Sequence, residues 1–557
     1  MPDFLAKFLQ GFRFHGCMVS EREMRRSSSK LLKSLCISAA LTVGLPVAAS
    51  WAETPSTAFT QSLATAAAED AAIAEWYRET GYEPLWTGAD DAERRTAFLT
   101  AILAAPDHGL PVARYDAVAL MSAIRGAESE GDRGRVELML TRAYLAWAHD
   151  LTSGVLDPSK VDKGIVREIA VIDPKTLLAR ISAGNPEAVL DWLLPEGQAY
   201  LNLMKAKIGL EAQIASGGWG APVEAGRLEP GATGPEVVAL RDRLVTMGYL
   251  GATSTATYDK AIEAAVVAFQ ADHGLTADGI FAEATRDELN VPADERLKSV
   301  LVALERERWL HFDRSAEMVW VNLPDFHAKI LEKGRVVFDT RVVIGKASGN
   351  TQSPEFSDVM EHMVVNPSWG VPRSIIVGEY LPQLQQNPNA AGHLRIIDSR
   401  GRVVDRASVD FTAYNASNFP FDMMQPPSDG NALGKVKFMF PNPYNIYLHD
   451  TPSKSLFDKE VRAFSHGCIR VARPFDLAYF LLGRQSSDPE GEFQGYIDTG
   501  KETTVRLETP VPVHLVYFTA YPDAKGKITY RRDIYGRDAK LYDALVAAGV
   551  VMPGLQG

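Results

Sequence analysis

The stretch 464-FSHGCIRV-471 is the part of the sequence on which the fold and chemistry of the second half of the chain depend. It contains Cys468. The other two cysteines, Cys17 and Cys36, lie in or before an apolar N-terminal segment that we expect to be removed, so Cys468 would be the single thiol of the mature protein. A single thiol in an exported protein is a reactive nucleophile, an intermolecular crosslink or an inert buried residue.

The residues around Cys468 predict a turn before the thiol and a helix after it. Residues 465–467 favour a tight turn, and 474–483 predicts a helix that opens with a proline. Upstream, 444–448 alternates as a strand that ends at His449, 19 positions before Cys468. A thiol reacts as the thiolate, so a nearby imidazole, positive charge or helix N-terminus would activate it by lowering its pKa. The pattern therefore predicts a Cys/His pair at a sheet edge.

The pair His449-Asp450 followed by the block 465–470 resembles the active-site signature of the L,D-transpeptidases. The stretch 365-VNPSWGVPR-373 is similar to the strand and aromatic wall beside the donor pocket of that family. Within the family, the chain resembles the large multidomain periplasmic branch with a peptidoglycan-binding module. The fold that this implies is multidomain α+β, with a helical N-terminal scaffold, a small three-helix peptidoglycan-binding module and a β-rich catalytic domain.

The resemblance implies a cysteine acyltransferase. Cys468 would attack the amide between meso-diaminopimelate and the terminal D-Ala of a tetrapeptide donor stem, release D-Ala and leave a thioester. The amine of a second stem would then resolve the thioester into a 3-3 crosslink between two diaminopimelates. His449 suits the general base, because a neutral imidazole can take a proton first from the thiol and later from the amine. No cofactor and no metal is implied.

The turn before the thiol is expected to contribute to the site as well. The backbone N–H groups of Cys468 and of Gly467 or His466 would bind the oxyanion, with a helix start adding positive potential. His466 would shape the loop and leave the proton transfer to His449. Arg470 would either hold a substrate carboxylate or pin the loop to a neighbouring carbonyl.

Two aromatic residues and one carbonyl complete the expected site. Trp369 and Tyr447 are expected as walls of the substrate pocket, with a core role as the alternative. Adjacent side chains on a strand point apart, so the expected partner of the His449 ring is a backbone carbonyl rather than the Asp450 side chain.

Composition and charge exclude some partners. The chain is 46% hydrophobic and 23% charged, which is typical of soluble globular protein. Residues 1–52 carry seven Lys/Arg and three Asp/Glu, so the rest of a chain with net charge −12 carries −16, which argues against a nucleic-acid partner. The expected partners are peptidoglycan stem peptides and glycan, together with other cell-wall synthesis proteins.

The first fifty residues predict an export signal. Basic residues at 25–33 precede an apolar run over 35–47 and small residues over 48–52. This predicts a periplasmic location. Left uncleaved, the run would be a short membrane anchor.

Patterning divides the chain into successive domains. A Gly/Pro/Ala-rich passage at 216–234 marks one boundary. Short amphipathic helices predicted at 235–247, 258–270 and 285–289 resemble a peptidoglycan-binding module, although Ala282 stands where that family commonly has Gly; glycan binding and a purely architectural role are both open. The expected domains are a signal or export segment 1–52, a helical scaffold 53–226, a peptidoglycan-binding-like module 227–291, a connecting helix 292–317, a catalytic domain 318–521 with a lid insertion 373–434, and a C-terminal extension 522–557.

From Met318 onward the hydrophobic period becomes that of strands. A sandwich or barrel-like sheet is expected from the segments 318–322, 327–331, 335–338, 340–344, 360–366, 435–440, 444–448 and 511–517. The insertion 373–434 has no clear strand period and interrupts the sheet beside the expected site. Such interruptions are either lids or surface excursions.

Other functional classes fit the sequence less well than a transferase. In papain-like proteases the histidine follows the cysteine, whereas here it precedes it. A zinc site would need a second tight pair of ligands beside His449, His466 and Cys468. The strongest non-enzyme alternative is a catalytically inactive peptidoglycan-binding structural protein. Water or a lipoprotein amine as the acceptor would instead give an L,D-carboxypeptidase or a lipoprotein-attaching transpeptidase.

Overall fold

The structure, a computed structural model, describes residues 57–195 and 197–552. The expected signal or export segment, with Cys17 and Cys36, lies outside the described residues. The described residues pack as one unit. No helix in the described ranges combines the length and apolar character needed to cross a membrane.

The described residues of the expected scaffold, 57–195 and 197–226, are largely helical, as expected. The helices are α1 Ala58–Ala67, α2 Ala71–Glu79, α3 Ala92–Leu103, α4 Val112–Tyr115, α5 Ala117–Arg125, α6 Glu130–Ser153, α7 Pro158–Val161, α8 Pro174–Ala183, α9 Pro186–Trp192 and α10 Gln198–Ala215. Helices α1 and α2 are separate, because Asp70 caps α2 by accepting a hydrogen bond from the Ile73 N–H. At Gly134 a Cβ would lie 2.7 Å from the Phe59 carbonyl oxygen, so glycine lets α6 approach α1 closely.

The next elements form the three-helix module and a long helix that joins it to the sheet. They are α11 Pro235–Thr246, α12 Lys260–Asp272, α13 Glu283–Leu289 and α14 Ala293–Arg308. The module has its own core around Phe269 and Phe281. Ala282 has φ −130° and ψ −173°, extended backbone that any residue adopts, so the expected glycine is not required there.

Among the described residues, every strand lies in the last part of the chain, together with five α-helices and one π-helix. The strands are β1 Met318–Asn322, β2 His327–Glu332, β3 Arg335–Gly345, β4 Phe356–Val365, β5 Trp369–Gly370, β6 Arg395–Ile397, β7 Asp422–Gln425, β8 Val436–Met439, β9 Leu448–His449, β10 Ala463–Ser465, β11 Ile469–Val471, β12 Thr503–Val516, β13 Ala520–Pro522 and β14 Ile528–Tyr530. The helices are α15 Arg373–Ile375, a π-helix Ile376–Tyr380, α16 Leu381–Gln386, α17 Pro474–Leu482, α18 Pro489–Asp498 and α19 Arg537–Ala547.

Nine of the strands form a barrel-like sheet. Their order is β10-β3-β11-β9-β8-β4-β12-β1-β2, and a further pairing of β2 with β3 closes the ring. The parallel pairs are β1 with β12, β9 with β11 and β3 with β10. The core inside the ring includes Val321, Met363 and Leu515, and α17 packs onto it through Leu477 and Leu481.

The structure corrects three expectations about strands. The segments 335–338 and 340–344 are one continuous strand, β3. Residues 444–447 are not a strand, since β9 begins at Leu448. The insertion 373–434 is not without strands, because β6 and β7 lie within it and pair with each other and with β5 as a separate three-stranded sheet.

Candidate active site

Two neighbouring parallel strands, β9 and β11, bring the expected base His449 close to the turn that holds Cys468 (residues 465–468, the nucleophile turn). Arg470 on β11 is the partner of His449 on β9, and Ile469 is the partner of Leu448. Cys468 directly precedes β11. Cys468 and His449 line one cavity of about 990 Å³, together with Arg470 and Tyr447.

The Cys468 thiol is held as a neutral donor. Its Sγ donates to the Asn445 carbonyl oxygen at 3.4 Å. Burial raises the pKa of the thiol to about 11, while hydrogen bonds from Tyr447 and the charge of Arg470 act in the opposite direction. The expectation of a thiol with a lowered pKa at a helix start was wrong, because strand β11 lies between Cys468 and helix α17 and burial outweighs the favourable contacts.

The His449 ring is buried and has one free nitrogen. Its Nδ1 donates to the carbonyl oxygen of Asp450, the kind of partner that strand geometry predicts, so Nε2 keeps its lone pair. Burial, with Arg470 and Lys437 adding positive charge, lowers the pKa of His449 to about 3. The Asp450 carboxylate accepts from Lys454 Nζ and from the Lys435 N–H and takes no part in orienting the ring.

The turn before Cys468 is fixed by serines on both sides. Ser353 Oγ donates to the Gly467 carbonyl at 2.6 Å, and the Gly467 N–H donates to Ser465 Oγ at 3.1 Å. Gly467 has φ +120°, which only glycine adopts without strain. Because the Gly467 N–H already donates to Ser465 Oγ, Gly467 is not available as an oxyanion donor. In the described part of the chain the N–H groups of Cys468 and His466 have no acceptor, which leaves these two for that role.

The His466 side chain forms a hydrogen bond with the insertion. Its Nε2 is 2.6 Å from Glu379 Oε1, and its side chain is partly exposed. Glu379 belongs to the π-helix of the insertion. The contact joins the nucleophile turn to the insertion.

The insertion forms the other wall of the cavity. Trp369 on β5 lines the cavity, and the insertion adds Ser374, Ile375 and Tyr380. The insertion has its own hydrophobic core, which includes Ile376, Leu384, Ile396, Phe411 and Met423. The cavity thus lies between the barrel and an independently packed segment.

Three residues of the site were missed by sequence reasoning. Asn442 builds the loop before Tyr447 by accepting from the Tyr444 and Ile446 N–H groups. Asn445 has φ +55°, a conformation that asparagine tolerates better than most residues, and it thereby presents its carbonyl to Cys468. The repeated asparagines in 442-NPYN-445 were the available signal for a turn. Lys437, the third residue, belongs to no sequence motif that could have marked it.

Comparisons with known proteins agree with this architecture. Residues 316–513 match the family model described as "L,D-transpeptidase catalytic domain", residues 233–289 that of a "Putative peptidoglycan binding domain" and residues 71–206 that of a "Scaffold domain". These matches confirm the family resemblance and the multidomain α+β organisation expected from the sequence.

Individual relatives point the same way. The chain is similar to a Haemophilus influenzae protein named "Putative L,D-transpeptidase", with 33% identity over 240 residues, 43% of this chain. The match spans 48% of that protein, about half of its length. Among solved structures the chain is similar to an L,D-transpeptidase (residues 123–326) from Xylanimonas cellulosilytica, with 16% identity, a TM-score of 0.17 and coverage of 53% of this chain and 100% of that one. An L,D-transpeptidase from Stackebrandtia nassauensis gives 15% identity, a TM-score of 0.20 and coverage of 53% and 97%. TM-scores this low carry no structural argument.

Proposed function

We propose that this chain, which combines an L,D-transpeptidase catalytic domain with a peptidoglycan-binding domain, is a peptidoglycan L,D-transpeptidase that works by cysteine acyl transfer. The observation that carries the proposal is that Cys468 and His449 line the same cavity. The thiol is the nucleophile that acyl transfer needs, and the imidazole has its second nitrogen free to act as base.

In the proposed acylation step Cys468 Sγ attacks the carbonyl of meso-diaminopimelate in the donor tetrapeptide. As the S–C bond forms, the thiol proton moves to His449 Nε2, and the N–H groups of Cys468 and His466 stabilise the oxyanion. The C–N bond to D-Ala then breaks, and the imidazolium returns the proton to the leaving amine. The products are a thioester and free D-Ala.

In the second step the amine of another stem attacks the thioester. His449 takes a proton from that amine, the C–S bond breaks, and the proton returns to the sulfur, so the enzyme leaves the cycle unchanged. We propose another diaminopimelate as the acceptor, which gives a 3-3 crosslink. The volume of the cavity, about 990 Å³, supports this choice, because a stem peptide that fills it would displace water and favour the amine over hydrolysis.

The remaining predicted site residues have binding roles in this proposal. The Arg470 guanidinium has no carboxylate partner among the described residues, which supports its use for a substrate carboxylate. Trp369 and Tyr447 line the cavity and would contact the stem peptide. His466 positions the nucleophile turn through Glu379.

Peptidoglycan as the substrate also fits the rest of the chain. We propose that module 227–291 holds glycan near the catalytic domain 318–521, with 53–226 as a scaffold, 292–317 as the connection and 522–557 as an extension. Such a substrate places the enzyme in the periplasm. The export segment 1–52 would deliver it there.

The test is direct detection of the acyl-enzyme. The protein is incubated with a tetrapeptide stem and its intact mass is measured. We expect an adduct of the stem less D-Ala on Cys468, and crosslinked product when acceptor is added. Cys468→Ala and Cys468→Ser should give neither while keeping the unfolding temperature, and crosslinking by either variant would disprove the proposed nucleophile.

A further inference from the structure

A row of three side chains crosses the sheet beneath the cavity. On β8, Lys437 is the partner of His449, and on the other side Arg470 of β11 is also its partner. Directly paired residues point to the same face of a sheet, so the base stands between two cations. Neighbouring strands lie about 4.8 Å apart, which places the two cation-bearing backbones about 10 Å from each other.

Lys437 has no ion-pair partner in the described part of the chain, although its neighbours do. Lys435 pairs with Asp429 at 2.6 Å, and Lys454 pairs with Asp450. The Lys437 Nζ lies 6.0 Å from the centre of the Tyr447 ring. The carboxylate of Glu502 acts on Lys437 but does not form an ion pair with it.

Arg470, the second cation of the row, also has no ion-pair partner among the described residues. Arg470 Nε is buried without a hydrogen-bond partner. Burial lowers the pKa of both Lys437 and Arg470, although Glu502 opposes this at the lysine and Cys468 at the arginine. Half-buried cations without a counter-charge are costly, so two of them lining one cavity indicate a site that an anion completes.

We propose that Lys437 is a specificity-determining residue that binds a free carboxylate of the donor stem peptide, on the side of His449 opposite Arg470. The inference rests on the proposed transpeptidase function. It identifies the preferred donor as a stem that carries at least two carboxylates, spaced to reach both cations. A stem with a carboxamide at the position facing Lys437 would bind less well.

Such a site would couple donor binding to activation of the base. The positive charges of Arg470 and Lys437 both lower the pKa of His449. Carboxylates bound beside these cations would cancel that effect, so the imidazole becomes a stronger base once the anionic donor is in place. The groups near Lys437 are the Glu502 carboxylate and the Tyr447, His449 and His362 rings. No carboxylate of the described residues lies within ion-pair distance of Lys437 to compete for it.

A pair of alkylating probes tests the site without transpeptidation. N-Iodoacetyl-β-alanine and its primary amide carry the same reactive group, and they differ only in a carboxylate on an arm that extends past the thiol. The measured quantity is the ratio of their rates of Cys468 alkylation in the full chain at low ionic strength. For the wild type the carboxylate probe should react faster. Lys437→Gln should lower the ratio about tenfold, the effect of one charge-assisted contact.

Two matched variants separate a binding role from a general loss of charge. Lys437→Arg keeps a cation and should retain most of the ratio. Lys435→Gln removes a neighbouring lysine that already has a carboxylate partner, and should leave the ratio unchanged. A wild-type ratio in Lys437→Gln, or an equal loss in Lys435→Gln, would overturn the proposal.

A donor comparison links the site to the reaction. With tetrapeptide donors bearing carboxylate or carboxamide, Lys437→Gln should raise KM for the carboxylate donor and barely change it for the amide. An unchanged KM for both donors would count against the lysine. If the wild type used no stem donor at all, the proposed function would fail, whereas the alkylation ratio would still report on the anion site.

Discussion

At the scale of single residues, the chemistry depends on a thiol and an imidazole that are both neutral before the substrate binds. The pKa of Cys468 is raised to about 11 and that of His449 is lowered to about 3. A thiolate–imidazolium pair is therefore not the resting state. Proton transfer has to accompany attack on the carbonyl, helped by the charge that the donor brings.

The pH dependence of thiol labelling follows from these values. Between pH 7 and 10 only the small thiolate fraction reacts, so the rate of Cys468 alkylation by iodoacetamide should rise about tenfold per pH unit and level off near pH 11. Labelling of the Cys468→Ser variant gives the background from the other cysteines. A rate that is already at its plateau below pH 8 would contradict the neutral pair and favour an activated thiolate.

The two histidines should differ strongly in their effect on turnover. His449 has a free ring nitrogen in the cavity, whereas His466 is bound to Glu379. We expect His449→Ala to lower the rate of acylation about 10²-fold or more, the usual contribution of a general base, and His466→Ala to cost much less. Single-turnover acylation with a stem donor measures both. Equal losses would mean that the base has been assigned to the wrong histidine.

At the scale of secondary-structure elements, local patterns predicted what depends on near neighbours along the chain. The strand at 318–322 and the helix that begins at Pro474 follow directly from hydrophobic spacing. The closure of the ring by β2 and β3 cannot be predicted from hydrophobic spacing, because it depends on pairing across the whole sheet.

The wrong predictions around the site also concern features that hydrophobic spacing along the chain does not determine. The alternation over 444–448 resembled a strand, but side-chain hydrogen bonds from Asn442 and the left-handed backbone of Asn445 turn the chain instead. The raised pKa of Cys468 could not be predicted either. It depends on burial, and the residues that enclose the cavity are distant in sequence.

We propose that the insertion acts as a semi-rigid lid. Its own core makes it a packed unit, and the Glu379–His466 contact ties it to the nucleophile turn. Weakening this contact should open the cavity to water. We expect Glu379→Gln to raise the ratio of hydrolysed to crosslinked product several-fold, with little effect on acylation by a small activated donor.

The matched control for the lid lies in the same insertion. Asp398 bonds locally with Arg402 away from the turn, so Asp398→Asn should leave the product ratio unchanged. Product analysis by mass spectrometry measures both variants. If Glu379→Gln kept the wild-type ratio, the insertion would be a surface excursion.

At the scale of the whole molecule, buried charges join the parts of the chain. Arg306 of α14 pairs with Glu355, and Glu355 also pairs with Arg537 at the start of α19. The Tyr535 hydroxyl donates to the Gly345 carbonyl and accepts from the Ser353 N–H. Because Ser353 also holds the Gly467 carbonyl, the C-terminal extension supports the nucleophile turn.

The peptidoglycan-binding module is fixed to this frame through His273 and its neighbours. The His273 ring stacks on Phe269 and on Tyr530 of the C-terminal hairpin, with centroids 3.9 and 5.5 Å away. The Asp272 carboxylate pairs with Lys527 at 2.6 Å. Burial, together with nearby arginine and lysine charges, lowers the pKa of His273 well below its usual value.

Acid should therefore weaken the attachment of the module. Below pH 6.5 the His273 ring binds a proton in the unfolded chain, where it is exposed, but not in the folded protein, where it is buried. The free energy of unfolding therefore falls as the pH drops. The loss from one such histidine reaches about 1.4 kcal/mol per pH unit.

His108, His449 and His514 have lowered pKa values and add losses of the same sign, so the readout is the difference between wild type and His273→Gln. Denaturant unfolding at pH 7.5 and 5.5 should show a smaller loss in the variant, because glutamine cannot take up the proton. Equal losses in the two proteins would mean that His273 does not make this attachment sensitive to acid.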